Sequence, residues 1–149
     1  MASHQPQTPD NPTALGHLRI LDLSCAQTGY FGKVFADLGA DVIKIEPPQG
    51  DPARMMAPFA GDIQDLERSL YFLNFNSNKR SVVLDLETDD GRASLRKLAA
   101  SADVLVEGFT PGYLDGLGLG YETLSQVNPA LVFASVTPFG QTGEYAKFQ

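Results

Sequence analysis

The sequence predicts an α/β fold, a parallel sheet with flanking helices. Short apolar runs that suit strands buried on both faces recur along the chain. Segments with apolar residues at three- and four-residue intervals stand between them. Glycine or proline punctuates most of the junctions. Strands alternating with helices read as βαβ units, and those units require parallel pairing.

Residues 18–23 form the first strand and run into Ser24, Cys25, Ala26 and Gln27. From Thr28 to Leu38 the spacing of Phe31, Val34, Phe35 and Leu38 predicts a helix, which Gly39 stops. A second strand covers residues 41–46, and Pro47 and Pro48 forbid its continuation. Residues 47–70 have weak periodicity and read as a long loop, functional or mobile. Residues 70–75 fit a strand or a short helix equally, whereas 80–86 alternate as a strand. Thr88 is placed to cap a helix running to about Ser101, with Asp89 and Asp90 in its first turn and Leu95, Leu98 and Ala99 facing inward. Residues 103–107 make a strand, 111–117 and 121–127 two short helices around a glycine-rich turn, and 131–136 the last strand. Residues 137–149 read as a loop. The polar, proline-bearing stretch 1–15 reads as a flexible tail, which leaves 16–149 as the folded part.

Composition narrows the function. With 43% hydrophobic and 19% charged residues the chain is globular rather than disordered. A net charge of -7 repels a phosphate backbone, so no nucleic-acid partner is expected. A small phosphorylated ligand stays possible, because backbone N–H groups can hold it. Cys25 is the single cysteine, so no internal disulfide exists, and nothing near it in sequence would lower its pKa; it reads as a small buried residue. His4 and His17 lack companions at metal-ligand spacing, so no metal is expected. Met55 and Met56 read as cover for an apolar surface. No apolar run approaches the roughly 18 residues of a membrane span, and no secretory h-region opens the chain; a cytoplasmic location without membrane contact is expected.

Ligands of open parallel sheets bind beyond the carboxyl ends of the strands, which selects residues 24–29, 46–50, 107–112 and 137–143. The arrangement is Rossmann-like, but the dinucleotide fingerprint is missing. Gln27-Thr28-Gly29-Tyr30-Phe31-Gly32 supplies G-x-x-G without the first glycine of the tight turn. Glu46 stands where a ribose-binding acid would, and also reads as an ordinary solvated acid at a strand end.

Five blocks in register resemble the type III CoA-transferases, the formyl-CoA transferase and carnitine CoA-transferase family. They are Leu21-Asp22-Leu23 with Gln27; Leu38-Gly39-Ala40-Asp41-Val42-Ile43-Lys44-Ile45-Glu46; Asn76-Ser77-Asn78-Lys79-Arg80-Ser81; Asp103-Val104-Leu105-Val106-Glu107 with Phe109, Pro111-Gly112 and Leu117-Gly118; and Asn128-Pro129 with Ser135-Val136-Thr137-Pro138-Phe139-Gly140-Gln141-Thr142-Gly143. The resemblance implies a Rossmann-like large domain, here its incomplete N-terminal part, in an interlocked homodimer. It implies transfer of CoA from an acyl-CoA to a carboxylate acceptor through an aspartate nucleophile, with CoA as substrate and no metal. It places Gln27 and Thr28 beside the thioester and pantetheine arm. Leu84, Asp85 and Glu87 border the adenine or ribose, Gly108 and Phe109 lie near the pyrophosphate and adenosine, and Thr137, Pro138, Phe139 and Gly140 lead towards the acyl end. The residues alone allow plainer readings: Gln27 as a helix-entry residue, Phe109 as core, Lys79 and Arg80 as a solvated turn.

The chain departs from the family pattern at Pro47, where arginine is frequent, at Gly108, usually asparagine, and at Gly116, commonly arginine. Two lost cations remove contacts of about 1.5–3 kcal/mol each, so weaker or differently posed CoA binding is expected, with Arg54 a substitute for one of them. The family's catalytic aspartate falls a few residues beyond the position of Gln149, so no catalytic residue is expected within the chain. Two other functions fit the residues: an α-methylacyl-CoA racemase-like enzyme, working by acid–base proton exchange, and a non-catalytic CoA- or nucleotide-binding module.

Overall fold

The structure, a computed structural model, describes residues 13–24, 28–146 and 148. Its centre is a five-stranded parallel sheet: β1 (Arg19–Leu23), β2 (Asp41–Glu46), β3 (Arg80–Val83), β4 (Val104–Glu107) and β5 (Val132–Ser135), in the order β3-β2-β1-β4-β5. Ile20 of β1 lies opposite Val42 on one side and Val104 on the other. The chain runs outward from β1 through β2 to β3, then crosses back to lay β4 and β5 on the far side of β1. The order therefore reverses between β1 and β4, where α/β sheets open a crevice for ligands.

Both faces of the sheet are covered, which is why its central strands read as continuous apolar runs rather than as alternation. On one face Leu21, Leu23, Ile43, Ile45 and Leu105 pack with Leu95 and Ala99 of α3 (Asp89–Ala99), Leu114 of α4 (Tyr113–Gly116) and Leu124 of α5 (Tyr121–Val127). On the other, Ile20, Val42 and Val106 meet Ala36, Phe31 and Phe35 of α1 (Tyr30–Asp37). Thr88 caps α3 by accepting from the Gly91 N–H at 3.1 Å, with Asp89 and Asp90 in the first turn and Arg96 and Lys97 in the last, as the helix dipole favours.

The fold resolves what local pattern left open. Residues 70–75 are helical, within α2 (Leu70–Asn76), because the Ser69 hydroxyl caps it by accepting from the Phe72 N–H at 3.1 Å. The strand predicted over 80–86 stops at Val83; residues beyond it turn, with the Thr88 N–H donating to the Asp85 carbonyl at 3.1 Å. Residues 47–70 contain two 3-10 turns, Pro52–Met55 and Ala60–Asp62. They are tethered by buried ion pairs, Arg54 to Glu46 at 2.7 Å and Lys44 to Asp51 at 2.6 Å. The Arg54 guanidinium lies 3.8 Å from the centre of the Phe72 ring. Within the stretch read as a tail, the Leu15 N–H donates to the Leu38 carbonyl at 3.1 Å and its side chain packs on the α1 face.

Candidate functional site

A cavity of about 430 Å³ opens at the carboxyl ends of β1, β2 and β4, next to the reversal in strand order. Leu23, Ile45, Leu84, Leu86 and Phe109 form apolar walls, Pro47 and Pro48 a rigid rim, and Asp85, Glu87 and Tyr113 the polar part. Pro47 follows the last residue of β2 and has no backbone N–H to continue the ladder, while the turn after β3 carries residues 84–87 to the opening. Gly91 makes that turn possible: a Cβ there would stand 1.8 Å from the Asp85 carbonyl oxygen. The Phe109 and Tyr113 rings lie 4.8 Å apart and tilted, and the Tyr113 hydroxyl donates to Glu87 at 2.7 Å. That hydrogen bond, with desolvation and the adjacent carboxylate charge, pushes the phenol up to about 12, so it remains a donor at any physiological pH. Asp85 accepts from the Glu87 N–H at 3.1 Å, which stiffens the lip. Among the described residues the lining carries two carboxylates and no cation.

Four of the residues singled out from the sequence, Leu84, Asp85, Glu87 and Phe109, thus converge on one cavity. Phe109 is both core and wall: it packs on the main apolar cluster and also faces the opening. Gly108 is half-buried beside it, outside the lining. Thr28 is half-buried just before α1, and Gln27 lies outside the described residues. Thr137, Pro138, Phe139 and Gly140 follow β5 and do not line this cavity. The Thr137 hydroxyl is buried with no partner among the described residues, while Phe139 is exposed and touches Tyr145 and Phe148. A second cavity, about 380 Å³, lies at the ends of β4 and β5, where the buried Glu107 carboxylate accepts from the Phe109 N–H at 2.7 Å and from Gln141 at 3.3 Å.

Three readings of charged residues are corrected. Glu46 is not a solvated acid: it is 2% exposed and grips Arg54 through both oxygens, at 2.7 and 2.9 Å. Burial acts to raise its carboxyl, but hydrogen bonds from Arg54, Ser81 and the Asp51 N–H outweigh this and hold it at about 2. Arg54, engaged by Glu46, Glu67 and the Phe72 ring, does not reach the cavity as a replacement cation. Lys79 is not part of a solvated turn: its ammonium sits 2.7 Å from Asp22, with both side chains at most 2% exposed. Arg80 does remain exposed, paired with Asp41 at the surface. A signal for these pairs was present in the sequence, since Asp22 and Lys44 lie inside strands read as buried on both faces, and a buried charge requires a partner. Among the described residues no group of histidine, cysteine and carboxylate side chains is arranged to hold a metal, and no helix is long and apolar enough to cross a membrane.

Comparison with known proteins gives the family and the fold. The succinyl-CoA:(R)-benzylsuccinate CoA-transferase subunit BbsE of Thauera aromatica is 48% identical over 87% of this chain and 32% of its own length. The acetyl-CoA:oxalate CoA-transferase of Acetobacter aceti is 42% identical over 99% of this chain and 37% of its own. A crystal structure of a CAIB/BAIF family protein from Brucella suis superposes with a TM-score of 0.84 and 39% identity, over 93% of this chain and 37% of that one. The chain therefore spans about a third of the length of the relatives it matches. The model of CoA-transferase family III matches residues 15–149, and the chain belongs to that family.

Proposed function

We propose that this chain supplies the CoA-binding portion of an enzyme that moves CoA between an acyl-CoA and a carboxylic acid, and that the cavity beside the β1–β4 reversal receives the adenosine. The observation that carries the reading is the convergence of Leu84, Asp85, Glu87 and Phe109 on one opening, from segments far apart in sequence. An apolar slot with a ring on one wall suits a flat purine. The two carboxylates suit the ribose hydroxyls or the exocyclic amine, both donors. The phosphates find no cation in this lining, so backbone N–H groups or other parts of the protein hold them.

The nucleophile belongs, on this reading, to an aspartate in the sequence that follows the matched segment. Its carboxylate attacks the thioester carbonyl and releases CoA as thiolate, leaving a mixed anhydride; the thiolate then attacks the aspartyl carbonyl, expelling the donor acid as a carboxylate and leaving an aspartyl-CoA thioester. The acceptor carboxylate attacks that thioester and releases the thiolate again, which takes the acceptor acyl group from the second anhydride and frees the aspartate carboxylate. The whole enzyme is a soluble cytoplasmic homodimer of interlocked subunits. Calorimetric titration with CoA tests the binding claim. Saturable binding is expected, weakened about tenfold or more in Phe109→Ala. Identical affinity in that variant, or no binding by the parent chain, would refute it.

A further inference from the structure

The adenosine cavity carries a charge that matches CoA poorly. Its polar wall is Asp85, Glu87, Tyr113 and the neutral Gln49, and among the described residues no cation lines it. Pro47 and Pro48 on the rim have no N–H to offer an anion. Just beyond the wall the imbalance deepens. Residues 85–92 hold Asp85, Glu87, Asp89 and Asp90 against one cation, Arg92. Arg92 is already engaged: it donates to Asp89 at 2.6 Å and to the Leu86 carbonyl at 2.9 Å. Arg54, in the neighbouring loop, is held by Glu46 and Glu67. The N-terminus of α3 would ordinarily attract an anion, but the Thr88 hydroxyl caps it and Asp89 and Asp90 fill its first turn.

The two wall carboxylates are also fixed in place. The Tyr113 hydroxyl donates to Oε1 of Glu87 at 2.7 Å, and the Glu87 N–H donates to Oδ1 of Asp85 at 3.1 Å. Each contact takes one carboxylate oxygen and leaves the other to a ligand. Two fixed acceptors suit a ribose diol, whose hydroxyls both donate. CoA has no such diol, because its 3′ oxygen carries a phosphate that is close to doubly charged at neutral pH. That group offers no donor and meets like charge on the wall. We propose that this cavity selects 3′-dephospho-CoA and its thioesters over CoA and its thioesters, with the free ribose diol donating to Asp85 and Glu87. CoA enters the same cavity less tightly, with its 3′-phosphate turned to solvent. This rests on the adenosine reading above and adds to it the form of the nucleotide.

Calorimetric titrations with CoA and with 3′-dephospho-CoA, two ligands that differ by that one phosphate, test the proposal. At about 20 mM salt 3′-dephospho-CoA is expected to bind about tenfold more tightly, and at about 500 mM the gap is expected to shrink to about twofold, since exposed charges are screened. The Asp85→Asn, Glu87→Gln double variant keeps an acceptor oxygen at each position and removes both charges. It is expected to bind the two ligands within about twofold of each other at low salt. A parent chain that binds CoA as tightly as 3′-dephospho-CoA, or with a gap indifferent to salt, would overturn the proposal and leave the adenosine reading standing. A gap that survives undiminished in the double variant would overturn it too, because the discrimination would then lie elsewhere. If the double variant does not melt cooperatively, the salt series on the parent chain decides alone. A parent chain that binds neither ligand refutes the adenosine reading, and the proposal falls with it.

Discussion

At the scale of single residues, charge placement governs what this chain can bind and when it is stable. The cavity lining is acidic, and Gly116, where the family resemblance implies an arginine, leaves open space: nothing stands within 4 Å of a Cβ built there. Gly116→Arg is expected to tighten CoA binding about tenfold, an effect that shrinks as salt rises, with no loss of melting temperature. Glu46 sets an acid limit. Its folded-state carboxyl lies at about 2, below its ordinary value near 4.5, so its stabilisation is present above the ordinary value and is lost as pH falls from there towards 2. Thermal melts across that window are expected to show the decline. Glu46→Gln is expected to flatten it while lowering stability by about 3 kcal/mol at neutral pH, because Arg54 is left without its buried partner. A variant with the parent's acid profile would show that other carboxylates control it.

At the scale of elements, the strands were legible because burial on both faces leaves an unbroken apolar signature, and α3 because its cap, acidic first turn and basic last turn all agree. Residues 70–75 were not legible: a short apolar run has no period, and the decision rests on Ser69, whose effect depends on the loop folding back. The Ser69 hydroxyl lies 2.9 Å from the Ala53 carbonyl and 2.6 Å from that of Met56, besides capping α2. Ser69→Ala is therefore expected to cost about 2 kcal/mol in urea unfolding, more than an exposed cap would. The site was legible unevenly. Leu84, Asp85, Glu87 and Phe109 stood out by resemblance to a family, whereas the partnering of Glu46 with Arg54 and of Lys79 with Asp22 depends on contacts 8 and 57 residues apart. Local pattern reads Glu46 and Lys79 as surface residues, and although Asp22 inside a buried strand signals a need for a partner, only the packed sheet shows which residue supplies it.

At the scale of the whole molecule, the chain exposes apolar surface that a self-sufficient domain would cover. Val83 on one edge strand and Val132 on the other are more than half exposed, as are the mutually touching rings of Phe139, Tyr145 and Phe148. Unpaired strand edges and open rings favour association, so light scattering on the isolated chain is expected to show mass rising with concentration. A monomer across that range would mean these faces need no cover. The same surface fits the comparison with relatives, of whose length this chain spans about a third. The central claim is that the cavity beside the β1–β4 reversal holds the adenosine of CoA, and a crystal structure of the protein with CoA tests it most directly. The expected result is the adenine against the Phe109 ring with the ribose facing Asp85 and Glu87; adenosine bound instead in the cavity beside Glu107 and Gln141 would contradict it.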